Sequence, residues 1–497
     1  MFKNFPGYSL LEKIQKKKSH TRERKLPINA IKLIFIVAIT SVIALLPTES
    51  FGIEGLTVVH QRIISLFVFA ALMWLTEAMP SWVTSMVVVT VMLLTVSTSA
   101  FNFLRPEDGA GLVPFKSIMA CFANPTIMLF IGGFVLAIGL TKVKLDVALA
   151  RVLLKPFGTR SEVVLLGFIL VTAIFSAFVS NTATAAMMLA FLTPVLKSLP
   201  ADGKGRIALA LAIPVGANLG GMITPIGTPP NMIALDYLSS QGMGISFVDW
   251  TIKMAPFVIV LLLLSWLLLR FLFPFKQKHI KIEIEGDIKW NRHTWSVVAA
   301  FAITIFMWMF GTDLWGVDTN VVAMIPIAIF CATGILTRRD LEEINWSVLW
   351  MVAGGFALGV ALNYKDASSV SLSSLIVNTV PFDNFSPLVV MILAGIICFG
   401  FSNFISHSAA TSLLVPVLGV VAGGLGASLD NYGGPQAMLV GIAIASSVSM
   451  ILPISTPPNA IAHSTGFIEQ KDMMKVGIII GIMGLVLGYA MLIFIGF

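Results

Sequence analysis

Charge is scarce in this chain: Asp, Glu, Lys and Arg make up 11% of its 497 residues, less than half the roughly 25% usual in a soluble domain. With 57% hydrophobic residues and a mean hydropathy of +0.93, that shortage excludes a soluble globular fold and places the chain in a bilayer. Cysteine is nearly absent too. Cys121, Cys331 and Cys398 lie in apolar segments without the paired spacing of a metal site or a disulfide framework, and read as small buried hydrophobes. A Gly-x-x-x-x-Gly-Lys phosphate cradle is missing, which disfavours an ATP-driven pump, and no Ser/His/Asp grouping stands out for an intramembrane hydrolase.

The charge that remains is placed unevenly. Eight of the 32 Lys and Arg precede Pro27, so residues 1–27 read as a basic cytoplasmic segment rather than a removable signal peptide or a nucleic-acid arm. Candidate spans run at about 30–47, 62–79, 82–99, 122–141, 207–223 with a continuation from 229, 249–274, 291–311, 319–336, 345–363, 434–452 with a continuation from 458, and 473–496. Two further apolar stretches, 162–196 and 387–418, are each long enough for two half-length helices that enter and leave on one side. If both are re-entrant hairpins, the connections holding Lys142 to Arg160, Lys197 to Arg206, Arg270 to Arg292 and Arg338–Arg339 all fall inside. The connections 48–61, 236–250, 312–318 and 419–435, which hold no Lys or Arg, fall outside. The positive-inside rule therefore fits an all-α polytopic protein of eleven transmembrane helices plus two re-entrant hairpins, N-terminus cytoplasmic and C-terminus outside.

The chain also repeats itself. Ile131-Gly132-Gly133-Phe134 matches Ala353-Gly354-Gly355-Phe356 at an offset of 222, Asn181 matches His407 at 226, and Pro225 matches Pro453 at 228. Five spans per repeat is an odd number, so the second copy inserts upside down, the inverted arrangement of secondary transporters. The layout is a first helix and outside loop over 28–61, a first repeat over 62–274 (hairpin 162–196, broken helix 207–242), a linker over 275–290, and a second repeat over 291–497 (hairpin 387–418, broken helix 434–466). The linker, Lys278 to Glu285, alternates like a short strand. Lys142 to Pro156 and Tyr364 to Val380 are amphipathic and read as interfacial helices.

Each repeat carries a polar interruption, Ser180-Asn181-Thr182 or Ser406-His407-Ser408, and some 45 residues later a proline break, Gly227-Thr228-Pro229-Pro230-Asn231 or Ser455-Thr456-Pro457-Pro458-Asn459. Two prolines cannot continue a helix. Non-helical backbone at membrane depth has to line a cavity or be buried in protein. Freed N–H groups at half-helix N-termini favour an anion, and freed carbonyls with Ser, Thr and Asn oxygens favour a hard cation. A Ser/Thr-rich kink at a helix contact is the plainer alternative for one such motif; four in duplicated order favour a site.

Phe178-Val179-Ser180-Asn181-Thr182-Ala183-Thr184-Ala185-Ala186 and Ile226-Gly227-Thr228-Pro229-Pro230-Asn231, with their second copies, resemble the divalent anion/sodium symporter family of di- and tricarboxylate transporters. The resemblance covers the chain from the first span onward. It implies a homodimer in the cell membrane, with a fixed scaffold and a transport domain that moves elevator-fashion. It also implies substrate binding by Ser180, Asn181, Thr182, Thr228, Ser406, His407, Ser408, Thr456 and Pro457. The same resemblance implies a Na+ site at Ser176, Ser180, Asn181 and Gly227, and a second cation position near Ser402, residue 407 and Ser455. This chain departs from the pattern at His407, where the sodium-coupled members carry Asn. Neutral imidazole is a poor ligand for Na+, and a protonated ring would itself supply the charge. His407 therefore points to the sodium-independent exchanger branch, with C4 or C5 dicarboxylates such as succinate, malate, fumarate or 2-oxoglutarate as the expected substrates. A sodium-coupled symporter and an anion channel stay open as alternatives. Glu77, before Pro80, reads as an interfacial residue and His463 as a surface one; no other cofactor and no nucleic acid are expected.

Overall fold

The computed structural model describes residues 29–107, 109–200, 203–280, 290–366, 370–381 and 384–496. The basic segment 1–27 and most of the linker lie outside these. Within them, the start of the linker pairs as expected of a strand-like segment, Ile280 N–H donating to Thr159 O at 2.7 Å beside an Arg160–His279 bridge.

Capping chemistry fixes where the helices begin. α1 (Ala30–Leu45) starts at Asn29, and α2 (Val58–Thr76) at a capping box in which Thr57 Oγ1 accepts from His60 N–H and His60 Nδ1 from Thr57 N–H. α3 (Ser81–Thr95) and the short α4 (Phe115–Ala120) follow Pro80 and Pro114. Asn124 caps α5 (Pro125–Lys142), and Lys144, at φ 59, turns the chain into α6 (Leu145–Leu154). α7 (Ser161–Ser176) and α8 (Asn181–Ser198) form the first helical pair. α9 (Gly205–Gly220) is separated from α10 (Pro229–Ser240) by the first proline break, and α11 (Phe247–Leu272) completes the first repeat.

The second copy runs α12 (Arg292–Trp315), α13 (Thr319–Val322) and α14 (Met324–Ala332), then the short α15 (Arg338–Glu342) and α16 (Trp346–Asn363). α17 (Leu372–Thr379) leads to the second pair, α18 (Pro387–Phe404) and α19 (His407–Leu425). α20 (Gly434–Ser447), the second proline break, α21 (Pro457–Ser464) and α22 (Gln470–Phe494) end the chain. Eight helical stretches among the described residues are long and apolar enough to cross a membrane, and six shorter apolar helices accompany them. The expected span 319–336 is helical over Thr319–Ala332, with a single irregular turn at Ala323. The two amphipathic stretches are helical, as α6 and α17.

Helix packing follows the repeat. α3 packs on α16 as α14 packs on α5, the same contact made twice. The second group, α7 to α10 with α18 to α21, interlocks closely. There α9 lies against α7 so tightly that a Cβ on Gly220 would sit 2.4 Å from the Ala173 backbone. On the side of α6, Lys142 Nζ donates to Ile335 O at 2.7 Å and forms an ion pair with Asp340. Burial alone would raise the Asp340 carboxyl; donation from Lys142, the Thr337 hydroxyl and the Thr337 N–H together outweighs it and holds the group below its ordinary value.

Replacing Gly220 by Ala forces backbone apart at the α7–α9 crossing, and is expected to cost about 1–3 kcal/mol. Gly423→Ala, in α19 with nothing within 4 Å, should be neutral or slightly stabilising. Thermal unfolding in detergent compares the two; equal melting points would show that the crossing is not tight.

Candidate functional site

The two polar interruptions and the two proline breaks meet. They line one cavity of about 780 Å³, together with Glu77, Trp82, Phe134 and the start of α16 at Asn345 and Ser347. All nine residues expected to bind substrate are at its wall. Gly227 and Ser455 also reach the wall, whereas Ser176 and Ser402 sit behind it, fully buried.

Four helices begin at this cavity. Ser180 Oγ caps α8 by accepting from Ala183 N–H at 3.3 Å, and Ser406 Oγ caps α19 through Ala409 N–H at 3.2 Å. Thr456 Oγ1 accepts from Asn459 N–H at 3.2 Å at the head of α21, while Thr228 heads α10 without a side-chain cap. Each helix N-terminus carries about half a positive charge, so four converge to on the order of two. Prolines at the first two positions of α10 and α21 remove donors there, which leaves direct donation to the first turns of α8 and α19 and to the Thr182 and Ser408 hydroxyls. Among the lining residues Glu77 is the sole Asp, Glu, Lys or Arg. It is exposed, with its backbone in the left-handed region at φ 47.

Behind the first tip lies an oxygen-rich cluster. Asn181's carboxamide is within 2.6 Å of Ser176 Oγ, 3.0 Å of Gly227 O and 3.3 Å of Ala217 O. Two orientations are possible. With its nitrogen turned inward, Asn181 donates to these oxygens. With its oxygen inward, four acceptors face one another, and Ser176 has a single proton to divide between Asn181 Oδ1 and Ala217 O at 2.7 Å. A hard monovalent cation fits that second arrangement.

The corresponding place behind the second tip differs. His407 Nε2 lies 2.5 Å from Ser449 O, so the ring must carry a proton on that nitrogen. Ser446 Oγ donates to His407 O at 3.0 Å, Ser402 Oγ to Ser446 Oγ at 3.3 Å, and Ser449 Oγ is engaged with Phe399 O and Ala445 O. Donors already satisfy these oxygens, and the set does not fit a cation.

Asn218 was not singled out from the sequence. Its Nδ2 donates at 3.1 Å to both Thr456 Oγ1 and Asn459 Oδ1, joining the first repeat to the second beside the cavity. A lone Asn inside the apolar run of α9 was the available signal. His463 lies on α21, outside the cavity lining.

The chain is similar to proteins of known class. It is 31% identical over 436 residues to an uncharacterized transporter of Haemophilus influenzae, covering 84% of this chain and 88% of that one. With the sodium-dependent dicarboxylate transporter SdcS of Staphylococcus saprophyticus it shares 28% identity over 462 residues, 85% of this chain and 84% of the relative. The crystal structure of the Alcanivorax borkumensis YdaH transporter shares the fold at a TM-score of 0.54 and 13% identity, over 86% of this chain and 97% of that one. The sequence profile of the sodium:sulfate symporter transmembrane region matches residues 28–496, and the chain belongs to that divalent anion/sodium symporter family of multi-pass membrane transporters.

Proposed function

We propose that the protein is a secondary active transporter that exchanges one C4 or C5 dicarboxylate for another across the cell membrane. The observation that carries this reading is the convergence of four helix N-termini on one cavity whose lining holds no Lys or Arg. Their summed partial charge, on the order of two, matches a dianion. The relative named a sodium-dependent dicarboxylate transporter supports the substrate class. The nine lining residues named above are the proposed substrate contacts.

The packing supports an elevator. α19 packs on α16 and α2, whereas its repeat mate α8 packs chiefly on α21, α9 and α7. One hairpin thus rests against the scaffold while the other leaves a cavity between itself and the scaffold. By the positive-inside reading, Glu77 and Asn345 belong to the cytoplasmic face, so this is the inward-open state. Alternating access then slides α7–α10 and α18–α21 against the remaining helices. A homodimer held by the scaffold is part of the proposal, as is an N-terminus inside and a C-terminus outside.

Sodium coupling is the second reading, and the oxygen cluster of Ser176, Asn181, Gly227 and Ala217, with the Asn181 oxygen turned inward, favours it: Na+ bound there, beside Ser180, would add a charge to the anion site. His407 speaks for exchange, because its ring donates where a second cation would lie near Ser402 and Ser455.

Proteoliposomes loaded with unlabelled succinate should take up labelled succinate several-fold faster than empty ones. Equal rates in loaded and empty vesicles would overturn exchange, and flux that needs no substrate on the far side would identify a channel. A second measurement addresses His407. Wild-type exchange is expected to be insensitive to Na+, while His407→Asn should bind dicarboxylate on the order of tenfold more weakly without Na+, about 1.4 kcal/mol, and recover when Na+ is added. Unchanged affinity with and without Na+ would remove the ring from the coupling mechanism.

A further inference from the structure

A second cavity, of about 1000 Å³, lies at the other end of α16. Asn345, Ser347 and Val348 of that helix line the substrate cavity, and Phe356, Asn363 and Tyr364 beyond it line this one. It separates α5 and α13 from α10 and α19. A hydrogen bond crosses it: Thr126 Oγ1 on α5 donates to Asp236 Oδ1 on α10 at 2.9 Å. Asn124, whose Oδ1 accepts from Thr126 N–H at 2.7 Å, keeps its amide nitrogen for the same carboxylate.

The two partners belong to different bodies. α5 packs on α13 and α14, while α10 packs on α19 and α20. Tyr237, next to Asp236, presses its ring against α19 where a Cβ on Gly419 would come within 2.3 Å. Asp236 therefore moves with the hairpin body, and Thr126 stays with the scaffold. Any sliding between the bodies has to break the bond.

The repeat shows what replaces it on the opposite face. α5 maps onto α16 at an offset of 222, so Thr126 corresponds to Val348; α10 maps onto α21 at 228, so Asp236 corresponds to Ser464. Valine has no donor, so the mirrored bond cannot form. We propose that Thr126 and Asp236 are a one-sided latch, a positioning pair that sets the carrier's resting distribution toward the state with the substrate cavity open. This rests on the alternating-access reading above, and it assigns these residues no contact with substrate.

Cys121 lines the second cavity and is buried, which makes it a native reporter of that side. In a background with Cys331→Ser and Cys398→Ala it is the remaining thiol. A small maleimide reads its labelling rate there, and a cysteine at Ser347, with Cys121 also replaced by Ala, reads the substrate cavity. Thr126→Val removes the hydroxyl donor, leaving only the Asn124 amide to Asp236, and keeps the Asp236 carboxylate beside Cys121. It should speed Cys121 labelling about three- to tenfold and slow labelling at residue 347 by a similar factor, the scale of one hydrogen bond to a charged acceptor. Thr126→Ser restores both rates. Building the mirror latch, V348T with S464D, should move both rates in the same sense as Thr126→Val. Faster Cys121 labelling with no change at residue 347 would mean local loosening and would overturn the latch, as would no change at either. Labelling is done without substrate, so absence of succinate exchange in the wild type would defeat the functional reading and still leave the latch decided.

Discussion

Broken helices at the middle of a bilayer leave carbonyl and N–H groups that hydrocarbon cannot satisfy, and the rest of this structure is arranged around meeting that demand. Two asparagines meet it in the same way. Asn231 Nδ2 donates to Gly221 O at 3.0 Å and Thr224 O at 2.9 Å, spanning the first break; Asn459 Nδ2 donates to Met450 O at 2.9 Å and Leu452 O at 3.1 Å, spanning the second. Each break is also fastened to its own hairpin: the Thr224 hydroxyl donates to Ala177 O, and Ser455 Oγ to Asn403 O at 2.9 Å. Carbonyls are thus consumed by the protein's own amides and hydroxyls, while helix N-termini are left to face the cavity. The electrostatic sign of the site follows from that division.

Duplication supplies two halves of a site, and Asn218 makes them one. Its amide reaches Thr456 and Asn459 of the second repeat; the residue at its own repeat position, Ser446, turns instead to His407 O. Around the tips the symmetry is therefore broken at 181/407 and at 218/446. An imidazole is larger than a carboxamide and here brings its own donor, so the serines around it bond to one another and to backbone rather than leaving oxygens free. The smaller Asn181 carboxamide can turn: with its nitrogen inward it donates to Ser176, Gly227 and Ala217, and with its oxygen inward the first pocket is acceptor-rich, whereas the second is self-contained in either case.

Much of this was legible in the sequence because it depends on local rules. Apolar length, the basic loops, the Pro-Pro breaks and the offsets of 222 to 228 place nearly every helix, and the tips at Ser180 and Ser406 fall on helix N-caps as their residue types require. What escaped depends on tertiary contact. The close approach at Ala323, whose carbonyl oxygen lies only 2.4 Å from where a Cβ on Gly132 would sit, is invisible in a stretch as uniformly apolar as 319–336. Asn218 is one polar residue in an apolar run, and only the fold shows that it faces the other repeat. The aromatic wall at Phe134 and Trp82 likewise carries no signal apart from hydrophobicity.

The position of the one acidic side chain in the cavity between the tips follows the same logic. Glu77 closes α2 in a left-handed conformation that costs a non-glycine residue of order 1 kcal/mol, three residues before Pro80 starts α3. At the tips, a carboxylate would cancel about half of the charge that the four helices provide. At the exposed rim, water screens it from that charge. Glu77 thus sits at the solvent end of the cavity, and the helices carrying the tips line it with dipoles, hydroxyls, the Asn181 amide and the His407 ring. A site built from dipoles has no fixed counter-charge at the tips, and its positive potential comes instead from the partial charges where the helices begin, which low-dielectric surroundings strengthen without the cost of burying a formal charge.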